Sequence, residues 1–132
     1  MKAIDTNVLV RFLVNDDPVQ TGKVYKLFKK AEDDKTKLFI PITVFIETLW
    51  VLESLYKTPR SVILDYFKEL LLLPILEYEN LSSVQKFVHK ASETNFGLAD
   101  LIIGYTSLEC GCEKVLTFDK KAVKSEFFEL LK

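Results

Sequence analysis

Four carboxylates stand where an apolar chain normally avoids them. Asp5 ends the first apolar segment, in "MKAIDTNVLV", and is followed at once by Thr6 and Asn7. Glu47 lies inside "TVFIETLWVLESLY", with Thr43, Val44, Trp50 and Val51 as its neighbours at three and four positions. Asp100 sits between Ala99 and Leu101 in "GLADLIIGY", and Asp119 closes "KVLTFD". Composition alone predicts a buried setting for Glu47. A buried carboxylate without a partner is expensive, so it is paired or used. Local cations are missing: the only arginines are Arg11 and Arg60, and no lysine falls within a helical turn of Glu47 or Asp100.

Carboxylates that converge need a cation between them. Hard oxygen ligands select Mg²⁺ or Mn²⁺. An ion held by acids, with open positions for water, suits phosphodiester hydrolysis. Thr6, Asn7 and Thr117 would then orient the carboxylates or the bound water. Plainer roles compete with this one. Asp5 and Asp119 can cap the helices that follow them, and Asp100 can complement a helix N-terminus. Glu47 has the weakest such alternative.

The elements that must carry these residues follow from periodicity. Short β-like segments recur at Lys2–Ile4, Leu38–Ile40, Ile75–Glu77 and Lys114–Thr117, with a last one at Phe127–Leu130. Helical patterns fill residues 18–32, 43–56, 59–73, 81–93 and 98–110. Asp17 before Pro18 is a helix start, Asn80 a candidate cap and Gly111 a stop. Strands alternating with helices predict an α/β fold around a mainly parallel sheet. In such a sheet the strands end at one edge, where ligands bind. That rule draws Asp5, Asp119 and Glu47 to a common edge. Asp100 follows a helix and is placed only by its own face, which Gly104 and Ser107 should keep small and open.

Composition excludes several classes. A length of 132 residues predicts one domain, 1–132, with a real core. No linker, repeat or low-complexity segment interrupts it. Asp5 breaks the apolar run before a signal peptide could form. No stretch reaches membrane-spanning length, so the expected location is cytoplasmic. Cys110 and Cys112 are one residue apart and His89 is the only histidine, which leaves no zinc set; the cysteines read as small buried hydrophobes. The net charge of −1 gives no blanket attraction to nucleic acid. Lysines gather in "KVYKLFKKAEDDKTK" and "DKKAVK". The run "ELLLLPIL" (69–76) makes a helix end apolar beyond one face, either buried under a loop or a contact surface.

Taken together, "IDTN" after a first strand, the Glu of "ITVFIETLWVL", the Asp of "GLADLIIG" and "LTFD" near the end resemble the PIN domain, and the "VFIETLWVL" helix is most similar to its VapC branch. The resemblance covers essentially the whole chain. It implies a three-layer α/β/α sandwich and an endoribonuclease dependent on Mg²⁺ or Mn²⁺. It also implies a homodimer and a small DNA-binding antitoxin as partner. Asp5, Glu47 and Asp100 match the three core acidic positions, and Asp119 matches a fourth whose role varies in the family. Thr6, Asn7 and Thr117 match the accompanying polar positions. With the four acids neutralised by metal, basic residues outnumber the remaining acidic ones, so RNA binding is compatible with the low net charge.

Three other readings use the same residues. A phosphotransferase with Asp5 as nucleophile would want an acid two residues on, where Asn7 stands. A non-catalytic PIN-like scaffold has no reason to keep four acids. Glycoside hydrolysis needs only two carboxylates.

Overall fold

The computed structural model describes every residue from Met1 to Lys132. The chain divides into two compact units, Met1–Glu79 and Asn80–Lys132.

The first unit is built on β1 (Lys2–Ala3), β2 (Leu38–Ile40) and β3 (Leu76–Tyr78), side by side in that order and parallel. Parallel neighbours need long crossovers, and helices supply them. α1 (Thr6–Leu13) and α2 (Pro18–Asp34) link β1 to β2; α3 (Ile42–Ser54) and α4 (Arg60–Leu71) link β2 to β3. Asp17 caps α2, accepting from the Gln20 N–H at 3.1 Å, with Pro18 in the first turn. The helices bury one stripe each. Phe45, Leu49 and Leu52 of α3 and Ile63, Phe67 and Leu70 of α4 are almost fully buried. The Phe45 and Phe67 rings lie 4.6 Å apart. Each such side chain stabilises the fold by roughly 1.5–3 kcal/mol on burial.

The second unit joins α5 (Leu81–Glu93) and α6 (Leu98–Glu109) to a two-stranded parallel sheet, β4 (Val115–Thr117) with β5 (Phe128–Leu130). A 3-10 turn at Ala122–Lys124 lies between the two strands. Val84, Phe87 and Val88 of α5 and Leu98, Leu101 and Ile102 of α6 form its core with Phe127 and Phe128. Gly111 stops α6 at φ +89°. Asn80 does occupy the N-cap of α5, but its side chain makes no capping bond.

The α/β class with parallel strands is as the sequence predicts, and the strands pair as a sheet of three and a sheet of two. Three local differences stand out. α1 is a complete helix of eight residues, where periodicity shows only an apolar run resuming after Asp5. α4 stops at Leu71, so Leu72 and Leu73 of the leucine run lie beyond it and Leu72 is exposed. β3 starts one residue later than predicted, because Leu76 and Tyr78 are the inward-facing pair. No helix is long and apolar enough to cross a membrane.

Candidate active site

In the first unit the site begins where β1 hands over to α1. Ile4 is buried, and its N–H donates to the Phe39 carbonyl at 3.0 Å, so strand pairing runs up to Asp5. Asp5 is the N-cap of α1, in extended conformation, and its Oδ1 accepts from the Val8 N–H at 3.2 Å. The plain capping role is therefore real, and it leaves Oδ2 with no bond inside the protein. Thr6 is buried, and its hydroxyl donates to Glu47 Oε1. Asn7 is exposed beside them.

Glu47 is not buried, contrary to what its apolar neighbours predict. α3 turns Phe45, Thr48, Leu49 and Leu52 inward and leaves Thr43, Ile46, Glu47 and Trp50 on its outer side. Trp50 is 57% exposed and Ile46 39%. Composition along a helix does not report which stripe faces in, and here both stripes are apolar. A further acid stands at this strand-end edge. Glu79 follows β3, and its Oε1 accepts from the Ile42 N–H at 3.1 Å, capping α3 where Pro41 offers no side-chain acceptor. The sequence carried a signal for it: it is the acid that closes "LEYE" at the end of a strand.

In the second unit Asp100 and Asp119 line one hollow of about 580 Å³. Asp100 is half-buried in the first turn of α6, behind an N-cap, Gly97, that has no side chain to cap with. A Cβ at Gly97 would come within 3.2 Å of Asp100 Oδ2, so the glycine leaves room for the carboxylate to fold back over it. Asp119 follows β4 and is exposed. Its Oδ1 accepts from the Lys121 N–H at 2.8 Å, and its own N–H donates to the Thr117 hydroxyl at 3.0 Å. Thr117 thus fixes the backbone of Asp119 rather than its carboxylate. Asn95, Lys121, Lys124 and Ser125 line the same hollow. Only the lysines had a sequence signal, the run "DKKAVK".

Two expectations about this region are corrected. Gly104 does not keep a face open beside Asp100: a Cβ there would stand 2.7 Å from the Phe127 ring, so the glycine admits that ring into the core. Cys110 and Cys112 are free and exposed, not buried, because they follow the last turn of α6 instead of lying on its inner stripe.

None of Asp5, Glu47, Asp100 and Asp119 forms an ion pair; the four in the structure are Arg11–Asp16, Lys29–Asp33, Lys30–Asp34 and His89–Glu93. No three Asp, Glu, His or Cys side chains are gathered closely enough to hold a metal ion as they stand. The donor chemistry nonetheless suits a hard divalent cation: carboxylate oxygens, none of them held in an ion pair. In the second unit Asp100 and Asp119 supply two carboxylates to one hollow; in the first, Asp5 keeps one carboxylate oxygen free of bonds inside the protein.

A PIN domain family model matches residues 2–126, running through both units. A VapC ribonuclease from Aquifex aeolicus (strain VF5) is 26% identical over 127 residues, covering 96% of this chain and 93% of that protein. The chain belongs to the PIN domain family, and its likeness within that family is to a VapC ribonuclease.

Proposed function

We propose that the protein is a metal-dependent endoribonuclease that hydrolyses RNA phosphodiester bonds, with both units serving one nuclease domain, 1–132. The observation that carries this reading is the hollow of the second unit, where two unpaired acids, Asp100 and Asp119, stand with two lysines, Lys121 and Lys124. Acids alone would repel a phosphodiester and lysines alone would only bind one. The combination suits a substrate whose negative charge is held at one place and whose reaction is promoted beside it.

Asp5, Glu47, Asp100 and Asp119 are the proposed acidic residues, with Mg²⁺ or Mn²⁺ as the ion they hold. When bound, such an ion supplies charge neutralisation at the phosphate and a lowered pKa for the attacking water. The chain's own residues do the rest. Thr6 fixes Glu47 by its hydroxyl bond. Thr117 and the Lys121 N–H fix the turn that presents Asp119. Lys121 and Lys124 bind backbone phosphates of the RNA.

The likeness to a VapC ribonuclease supports a toxin role, with a small DNA-binding antitoxin protein as inhibitor and the cytoplasm as the place of action. A homodimer is part of the same proposal. The exposed Ile46 and Trp50 on α3 support it, as an apolar surface that association would cover.

The test is cleavage of a mixed RNA pool by purified protein with Mg²⁺ or Mn²⁺. Activity that stops in EDTA and falls at least ~100-fold in Asp100→Asn is the expected result. Undiminished cleavage by Asp100→Asn, or in EDTA, overturns the reading.

A further inference from the structure

The first unit holds a second hollow that the nuclease reading leaves unused. It has a volume of about 660 Å³, within the range of small-molecule sites. Its loops, residues 35–37 and 73–75, lead into β2 and β3, so it lies at the starting ends of those strands, whereas Asp5 follows the end of β1. The wall is apolar and largely aromatic. Phe12 packs against Phe28 with ring centroids 4.7 Å apart and meets Tyr25 edge-on at 5.6 Å. Leu73 and Ile75 complete the apolar lining, and Tyr25 is half-exposed.

The rim is cationic, with Lys29, Lys35 and Lys37 against one acid, Glu32. Lys29 is already held by Asp33 at 3.0 Å. Lys35 and Lys37 form no ion pair. Lys35 sits in the left-handed region at φ 55°, where it ends α2, an uncommon conformation for a residue with a side chain. Lys37 donates to the Pro74 carbonyl and so ties the two loops at the mouth. This accounts for two sequence features that the nuclease reading does not absorb: part of the lysine run at 23–37 and the end of the leucine run at 69–76.

We propose that this hollow binds an anionic amphiphile, a straight-chain carboxylate whose tail lies along Phe12, Phe28 and Leu73 and whose head meets Lys35 and Lys37. Burying the tail supplies the driving force. The unpaired lysines select the sign of the head group, because a cationic head would meet like charge at the mouth. The proposal is independent of the nuclease reading and can fail or stand without it.

The experiment is calorimetric titration of the full chain with dodecanoate and, separately, with dodecyltrimethylammonium, each kept below its micelle concentration. The expected result is saturable binding of one dodecanoate per chain, at least about tenfold tighter than the cation, the scale of a favourable charge contact. Lys35→Glu with Lys37→Glu should weaken dodecanoate by about tenfold or more. Tyr25→Asp, at an exposed wall residue, should weaken it as well. Absence of saturable dodecanoate binding overturns the proposal. So does equal or tighter binding of the cation, or dodecanoate binding that the double lysine variant leaves unchanged.

Discussion

The Thr6 hydroxyl donates to Glu47 Oε1, joining the first turn of α1 to the middle of α3. The donor is buried and the acceptor is solvent-facing, so the bond holds a charged side chain still at the surface of the first unit. A hydrogen bond to a charged group contributes about 1.5–3 kcal/mol. Thr6→Val keeps the shape and removes the donor, and should cost about 1.5 kcal/mol. Glu47→Gln keeps an acceptor oxygen and should cost less. Thermal melts in EDTA of both variants and their combination would measure the coupling between the two residues. Additive effects would mean that the charge on Glu47 adds nothing to the bond.

Asp5 combines two tasks that one substitution can separate. Asparagine caps a helix about as well as aspartate. Asp5→Asn should therefore leave the melting temperature nearly unchanged, a difference of a few tenths of a kcal/mol at most. Ribonuclease activity with Mg²⁺ should nevertheless fall at least ~100-fold, since the amide is a poor ligand for a hard cation. Asp5→Ala should lower both. A variant Asp5→Asn with full activity would reduce Asp5 to a cap.

Gly104 predicts a destabilising methyl group. Alanine would gain about 1 kcal/mol of helix propensity in α6. Its Cβ, however, would stand 2.7 Å from the buried Phe127 ring, which is itself packed against Tyr105 at 4.7 Å. Overpacking of this kind costs roughly 1–3 kcal/mol. Gly104→Ala should lower the melting temperature, and Gly104→Ala with Phe127→Leu should recover part of the loss. A rise for the single variant would show that the ring has room to move.

Tyr78 is the buried side chain whose hydroxyl finds no partner. Burial pushes its phenol well above the ordinary value of 10.0. The neutral phenol is thus favoured in the folded state, and its contribution is fully present below about pH 10. Stability should fall as pH rises beyond that, because the unfolded chain releases the proton first. Tyr78→Phe removes both the orphaned hydroxyl and this pH dependence, and should stabilise the protein by about 1 kcal/mol at neutral pH. Denaturant melts at pH 7 and pH 10.5 would check both parts.

The legible parts of the fold were those written as periodicity and punctuation. Asp17 and Pro18 start α2 and Gly111 ends α6, because capping chemistry is local. All five strands lie within a residue or two of their predicted positions. Exposure was not legible. Glu47 reads as buried because α3 is apolar on both faces, and only the packing of Phe45, Leu49 and Leu52 decides which face turns in. Gly104 reads as open space because its neighbour, Phe127, is distant in sequence. Among the site residues, Asp100 and Asp119 share a hollow whose other members, Asn95 and Ser125, carry no signal of their own. The four acids themselves were legible as a pattern along the chain.

Cys110 and Cys112 stand exposed on either side of Gly111. In aerated buffer, dioxygen oxidises exposed thiols of two molecules, one from each, to a disulfide between them. Two chains then travel together through a sizing column or a light-scattering cell without sharing any interface. Every measurement of self-association in this protein accordingly belongs in reductant, with Cys110→Ser and Cys112→Ser as the control. Mass that vanishes under those conditions came from sulfur, and mass that persists came from packed side chains.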